Sequence, residues 1–546
     1  MTSTATGGTV PRSTGDAGSG AARPAGPADA GSRRRWGGTQ SSLDLQLGGA
    51  VLTGAAVALA FPPYDLWPLA PVGVAGLFLL CRGLPAGRGA LVGLVHGLAT
   101  FLPLLSWLTV IGPDAWVLVA LLEASFLALT GALLPGVLRL PGWPLWAACL
   151  WVAQEAARDR LPFGGFPWGR LAFAETAAPF TPVAALGGAP LVTFATAICA
   201  SFLAAAVVAL RRRAVASAAA ALAAALAVPA LGLVLPTGAG DGREVTVALV
   251  QGGVPGEGMD FLGEREQVLR NHVDATHRLA DDVRAGRVAA PDLVVWPENA
   301  SDIDPFSNPS ARRLIDDAVR DVGVPVLVGT LVDGPGPDHV RNSGVVWDPQ
   351  TGPRERYVKR HPVPFGEYIP FRAQLSGWIE RLDQIPRDFY AGDRPGNLVV
   401  GPAAVGDVIC FEVAYDGLVR DVVKGGADVL VVQTNNATYN GTGQPQQQMA
   451  MSRLRAVEHG RTVLVAATSG ISAVVAPDGE VVARAPERVA RTLVRTVELH
   501  DGRTLATRVG AGPEWLLAAA GVAAAGVAVV LGRRRRAGAG DGGEQQ

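Results

Sequence analysis

From about Leu45 to Leu235 the chain is a train of apolar segments, and a further apolar run, Trp515 to Leu531, follows a long polar stretch. A bilayer core of ~30 Å needs roughly 20 apolar residues per helix. On that measure spans are expected near 44–61, 65–82, 88–110, 114–138, 142–157, 182–210 and 214–235, with 515–531 as the eighth. Composition points the same way. Of 546 residues, 49% are hydrophobic and only 17% charged, which suits neither a soluble enzyme nor a disordered chain. The formal net charge of −1 gives no electrostatic reason to expect nucleic acid as a partner. Two carboxylates, Glu123 and Glu155, fall inside expected spans. A charge at that depth is costly, so each is expected either to serve function or to be held by a partner.

The spans divide the chain. Residues 1–43, rich in Gly, Ala, Ser, Thr and Pro, cannot bury enough apolar surface to fold and read as a disordered tail. A transmembrane domain of seven spans is expected over 44–240, a separate polar domain over 241–510, a last span over 511–532 and a basic, disordered tail over 533–546. Arginines cluster at Arg33–Arg35, at Arg82 and Arg88, at Arg139, at Arg211–Arg213 and at Arg533–Arg536. Counting spans puts all of these on one side, which the positive-inside rule makes cytoplasmic, together with both termini. Arg158, Arg160 and Arg170 are the exception. The polar domain then lies outside the cytoplasm.

Within that domain short β-rich runs recur at Val245–Gln251, Leu293–Trp296, Val324–Val328, Val345–Trp347, Val405–Cys410, Val429–Gln433, Val463–Ala467 and Ser472–Ala476. Helical patterns sit between several of them, notably Glu264–Arg284, Ser310–Val322 and Gln446–His459. Strands alternating with helices predict a layered α/β domain. Of the cysteines, Cys81, Cys149 and Cys199 lie in apolar stretches and read as small buried hydrophobes. Cys410 alone lies in the polar domain, so no disulfide can form inside it.

Three segments carry chemistry. Val294-Val295-Trp296-Pro297-Glu298-Asn299 is a strand that stops at a proline and presents a carboxylate. Tyr357-Val358-Lys359-Arg360-His361 presents an ammonium, and Val408-Ile409-Cys410-Phe411-Glu412 presents the lone thiol. A thiol needs a base or a cationic neighbour to become nucleophilic. A carboxylate can take its proton, while an ammonium and a backbone N–H can stabilise the oxyanion of acyl transfer. His361 reads as a packing or hydrogen-bonding histidine rather than half of a catalytic dyad. No His/Cys/Asp cluster has metal-ligand spacing and no Walker-type glycine loop is present, so neither metal nor cofactor is expected.

The three segments resemble the Glu–Lys–Cys pattern of the nitrilase superfamily. Joined to seven spans before and one after, over about residues 45–531, they look like its membrane-embedded branch, the apolipoprotein N-acyltransferases. Ala248-Leu249-Val250-Gln251-Gly252, the run Lys359–Tyr368, Met449–Arg461 and Ser469-Gly470-Ile471-Ser472 carry the likeness further. The resemblance implies an α-β-β-α sandwich on an eight-helix membrane domain in a bacterial cytoplasmic membrane. It implies Cys410 as nucleophile, Glu298 as general base and Lys359 as oxyanion-stabilising cation. Glu367, Glu412 and Phe411 would support them, the two carboxylates by orienting Lys359. Phe411 stands where many members carry Tyr, and Gly258-Met259-Asp260-Phe261 stands where several carry a Lys-Trp pair. Trp168, Phe261 and Tyr368 are the candidate substrate contacts, Trp168 as the lining of an acyl entrance. The implied reaction takes an acyl chain from a phospholipid onto Cys410 as a thioester. It then passes the chain to the amine of a diacylglyceryl-cysteine apolipoprotein. The rivals are a membrane-tethered nitrilase or amidase acting on a soluble carbon–nitrogen substrate, and a catalytically dead scaffold.

Overall fold

A computed structural model describes residues 35–236, 242–255, 265–375 and 386–541. The expected tail over 1–34, the last five residues and Phe261 lie outside the described residues. The chain forms two compact units, Met1–Leu45 and Gln46–Gln546, and every residue of the candidate site belongs to the second.

The apolar train folds into α1 (Arg35–Leu59), α2 (Leu69–Cys81), α3 (Ala86–Leu104), α4 (Pro113–Val137), α5 (Trp143–Arg158), the short α6 (Leu171–Ala174), α7 (Ala184–Arg211) and α8 (Val215–Val234). Five helices are long and apolar enough to cross a bilayer: Ala86–Leu104, Pro113–Val137, Thr181–Arg211, Val215–Gly232 and Gly512–Arg535. Leu43–Leu59 and Leu69–Cys81 are apolar but shorter, so the expected count of eight spans is not reached on length and hydropathy. Gly188 marks a kink in α7, with φ +72. A Cβ there would stand 2.6 Å from Glu458 Oε1, so only a glycine lets this helix pass the polar domain.

The polar domain begins with β1 (Arg243–Gln251), α9 (Arg265–Arg284), β2 (Leu293–Val295), α10 (Pro309–Val322), β3 (Val326–Asp333), β4 (His339–Asp348), β5 (Gly352–Val358), α11 (Arg372–Leu375) and β6 (Asp388–Phe389). It continues with β7 (Asn397–Val400), β8 (Ala403–Ile409), α12 (Asp416–Lys424), β9 (Val429–Thr434), α13 (Gln444–His459), β10 (Val463–Ala467), β11 (Ala473–Val475), β12 (Val481–Arg484), β13 (Arg491–Leu499) and α14 (Leu505–Val509). One sheet runs β13-β1-β2-β3-β4-β5 with β6 on β4, and the other runs β12-β11-β10-β9-β8-β7.

Burial explains why the sheets stack. Along β9, Val429 and Val431 join the core between the sheets, while Leu430 and Val432 face α12 and α13. Both faces of this strand are covered, so its sequence is a continuous apolar run rather than an alternation. On the far side Leu269 and Leu279 of α9 and Ile315 and Val319 of α10 pack on Val294, Val328 and Trp347. The layers are therefore helix, sheet, sheet, helix. The last helix, α15 (Gly512–Asp541), runs through the stretch expected as a disordered tail, so residues 533–541 are helical. Likewise α1 begins at Arg35, inside the expected N-terminal tail.

Ion pairs hold each region together, and one of them, Arg170–Asp416, joins the two. Glu123 accepts from Arg158 at 2.7 Å, both side chains fully covered. Glu155 accepts from Trp151 Nε1, Leu171 N and Thr193 Oγ1, so both membrane carboxylates are held by partners. Arg170 bonds Asp416 at 2.8 Å and Asp159 at 3.2 Å, and Arg455 bonds Asp416 at 2.7 Å. Arg160 grips Glu514 with both guanidinium nitrogens, at 2.9 and 2.6 Å. The arginines that broke the charge pattern are thus spent on internal pairs. Removing one partner of a fully covered pair such as Arg158–Glu123 strands a buried charge at a cost of about 3–5 kcal/mol.

Candidate active site

Four segments converge above the ends of β2, β5, β8 and β9. Strand β2 ends at Val295, and Trp296-Pro297 turn the chain so that Glu298 points inward, 4% exposed. Its Oε1 accepts from Lys359 Nζ at 3.1 Å and Asn342 Nδ2 at 2.7 Å, and its Oε2 accepts from the Asn435 N–H at 2.8 Å. Lys359 follows β5, is 1% exposed, and donates to Glu367 Oε1 at 2.6 Å as well. Burial alone would lower the Lys359 ammonium, but the carboxylates of Glu298 and Glu367, with Cys410 behind them, hold it well above its usual range.

Cys410 closes β8 in the left-handed region, φ +53, and opens a 3-10 turn over Cys410–Ala414. A side chain there costs about 1–3 kcal/mol of backbone strain. The sharp turn lifts the thiol off the strand end and leaves the Phe411 N–H at the start of the turn. Thr434 Oγ1 donates to the sulfur at 3.3 Å. Burial, reinforced by the Glu298 charge, pushes the thiol up to about 12 against the pull of Lys359 and Thr434. The resting nucleophile therefore keeps its proton, and a base must take it during reaction. Direct alkylation of Cys410 by iodoacetamide is accordingly expected to keep rising between pH 7 and 10. A free thiol levels off above about 8.5, and a plateau there would contradict this electrostatic picture.

The acidic neighbours divide their work. Glu367 bonds Lys359 and, through Oε2, the Val363 N–H at 2.8 Å. Glu412 does not bond Lys359. It accepts from the N–H groups of Ile409 (2.8 Å), Arg360 (2.7 Å) and His361 (3.1 Å) and from the Tyr357 hydroxyl (2.8 Å). It ties the nucleophile's turn to the lysine's loop, and burial pushes its carboxyl up. His361 packs its ring 4.0 Å from that of Tyr415, and burial with the Lys359 charge lowers it to about 4. A Cβ on Gly164, φ +92, would stand 2.6 Å from this ring, so the membrane-side loop can sit here only as glycine.

Phe411 turns away from the polar cluster onto aromatic rings of the membrane region. It stacks on Phe166 at 5.7 Å and on Trp168 at 6.0 Å. Trp168, expected near an acyl entrance, is thus buried beside the nucleophile's turn. Tyr368 is less central: its carbonyl closes the turn by accepting from the Phe365 N–H at 2.7 Å, and its half-buried side chain lies toward Tyr415.

Asn342, Thr434, Asn435 and Gln448 were not expected from the sequence. Gln448 donates to Thr434 Oγ1 at 3.1 Å and accepts from Asn436 at 2.6 Å. The run Gln433-Thr434-Asn435-Asn436 at the end of an apolar strand was the available signal: consecutive amides and a hydroxyl at a buried strand end need partners.

The family model described as the apolipoprotein N-acyltransferase N-terminal domain matches residues 53–202. That of the carbon–nitrogen hydrolase matches residues 246–507. The apolipoprotein N-acyltransferase of Mycolicibacterium smegmatis is 40% identical over 512 residues, covering 89% of this chain and 85% of its own length. That of Azotobacter vinelandii is 30% identical, covering 91% of this chain and 97% of its own. Among solved structures, a mutant of the Nesterenkonia AN1 amidase from the nitrilase superfamily aligns at 20% identity and a TM-score of 0.35, covering 50% of this chain and 94% of the amidase. With both family regions present in order and 40% identity held over most of its length, the chain belongs to the apolipoprotein N-acyltransferase family.

Proposed function

We propose that the protein takes an acyl chain from a membrane phospholipid onto Cys410 as a thioester. It then transfers the chain to the α-amine of the diacylglyceryl-cysteine that begins an apolipoprotein. Glu298 takes the thiol proton as sulfur attacks the ester carbonyl carbon. The tetrahedral oxyanion forms against Lys359 Nζ and the Phe411 N–H. Collapse breaks the ester C–O bond, Glu298 returns the proton to the departing glycerol oxygen, and a lysophospholipid leaves. The neutral amine then attacks the thioester, its proton passes to Glu298 and on to the leaving sulfur, and the amide is released. A thioester divides one difficult exchange into two easier ones.

The observation that carries this reading is the place of the thiol. It stands between the Glu298–Lys359–Glu367 cluster and an aromatic wall, Phe411–Phe166–Trp168, that is continuous with the membrane helices. A soluble amide substrate gives no reason for such a wall, whereas a lipid donor must come from the bilayer side.

Helix α3 supports an orientation with the polar domain outside the cytoplasm. Its first turn holds Arg88 and its last residue, Leu104, meets the polar domain through Gln447. Arg82 and Arg212 face each other at the Arg88 end. By the positive-inside rule that end is cytoplasmic, so the polar domain stands on the outer face of the cytoplasmic membrane.

The test is mass spectrometry of the full-length protein in micelles containing a diacyl phospholipid of one defined chain. One acyl group is expected on the peptide bearing Cys410, lost on adding hydroxylamine or a diacylglyceryl-cysteinyl peptide. An unmodified Cys410, or acyl on another residue, overturns the mechanism.

A further inference from the structure

Gln447 belongs to the polar domain, yet its side chain is spent on the membrane helices. On α13, Gln444 and Gln448, four residues apart, face the nucleophile's neighbours Asn436 and Thr434. Gln447, between them, faces the other way and is 5% exposed. Its Oε1 accepts from Trp168 Nε1 at 2.6 Å and Trp107 Nε1 at 3.1 Å. Its Nε2 donates to the Pro62 carbonyl at 3.2 Å and the Leu104 carbonyl at 3.1 Å. A primary amide has two donors and two acceptor lone pairs, and here all four are used. Among them they hold the residues just beyond α1, the end of α3, the 3-10 turn after it and the loop between α5 and α6.

The two indoles held this way border the site. Trp168 lies nearly parallel to Phe411, with a 16° interplanar angle. Trp107 packs on Trp168 at 5.3 Å and edge-on to Tyr439 at 5.1 Å, and Tyr439 lies beside Cys410, Glu367 and Glu298. A buried indole N–H without an acceptor is costly, so these rings keep their planes only while Gln447 stays. Neither ring has another hydrogen-bond acceptor among the described residues.

We propose that Gln447 is a positioning residue that fixes Trp107 and Trp168 as the acyl-chain wall of the site and so sets which donor chain reaches Cys410. The proposal rests on the functional reading above and adds its chain selectivity. Gln447 touches neither Cys410 nor its hydrogen-bond partner Thr434, so it acts through the rings.

The experiment compares wild type, Gln447→Leu and Gln447→Glu as full-length protein in micelles. It measures single-turnover acylation of Cys410 from long-chain and short-chain phospholipids. Gln447→Leu is expected to slow acylation by the preferred chain about tenfold or more and to flatten the chain preference. Discharge of enzyme already acylated, and labelling of Cys410 by a small thiol reagent, should stay within about twofold by the same argument. Gln447→Glu, which burial keeps protonated, retains an acceptor for both indoles and a donor toward the Pro62 and Leu104 carbonyls, and should keep the preference. Trp168→Phe, which drops the N–H without touching Gln447, should reproduce the flattening. An unchanged chain profile in Gln447→Leu overturns the proposal, as does an equal loss for all chains accompanied by slower thiol labelling.

A second readout is independent of chemistry. In a Cys410→Ala background, 5-fluorotryptophan at position 168 should shift on adding long-chain phospholipid, and Gln447→Leu should abolish the shift. If wild type forms no acyl-enzyme, the functional reading fails and this shift alone judges the wall. Its absence in otherwise unmutated protein sinks the wall as well.

Discussion

Replacing Cys410 with Ala is expected to abolish acyl transfer, lowering turnover by at least about 10⁴-fold, as nucleophile removal does in covalent enzymes. Among the described residues the other cysteines are buried in the membrane helices, so no second thiol stands near the site to take over. Cys410→Ser should be nearly as inactive, because an alkoxide is harder to form than a thiolate and burial already pushes the thiol itself up to about 12. Cys410 holds φ +53, and either substitution leaves that backbone demand unchanged, so both variants should fold as wild type does. The measurement is acyl transfer to a diacylglyceryl-cysteinyl peptide, with a thermal melt of each purified variant alongside. Transfer by Cys410→Ala at more than a trace of the wild-type rate would remove the nucleophile from the mechanism.

Lys359→Met should cost about 10³-fold or more, a loss in the range of removing an oxyanion donor, for two separable reasons. The ammonium that meets the developing oxyanion is gone. In addition, Glu298 and Glu367 lose the cation that bonds both at 3.1 and 2.6 Å. Two neighbouring carboxylates without a cation favour one shared proton, and a proton on Glu298 disables the base. Acylation should therefore fall at neutral pH and recover in part as rising pH strips that proton, a slope absent from wild type over the same range. Single-turnover acylation against pH gives the answer. A loss of less than about tenfold, or one with no pH slope, would mean that Lys359 only packs the site. Lys359→Arg should not rescue, since a planar fork does not replace a point charge between two carboxylates.

The rival reading, a tethered amidase for soluble substrates, would survive removal of residues 1–235. The aromatic wall speaks against that outcome, because Phe166 and Trp168 supply the faces on which Phe411 packs.

Much of this was legible along the chain because the physics concerned is local. Residues Val463–Ala467 form one strand as expected, and Gln446–His459 lies within α13. Apolar runs bounded by turn residues declare themselves without reference to anything distant. Strand β5, Gly352–Val358, was legible only at its end, Tyr357-Val358, because its charged residues face solvent and only Tyr357 is buried. Strand β13 alternates buried and exposed positions irregularly, which weakens a period-2 signal.

The residue types of the site and their order were set by the sequence alone: a carboxylate, an ammonium and a single thiol, each at a strand end. Folding decided what each one meets. Asn435 lies 137 residues from the carboxylate it bonds, and Gln447 lies 279 residues from Trp168. Hydrogen bonds and ring stacking act over a few ångströms of space. Separation along the chain says nothing about them until both sheets and the membrane helices have brought the partners together.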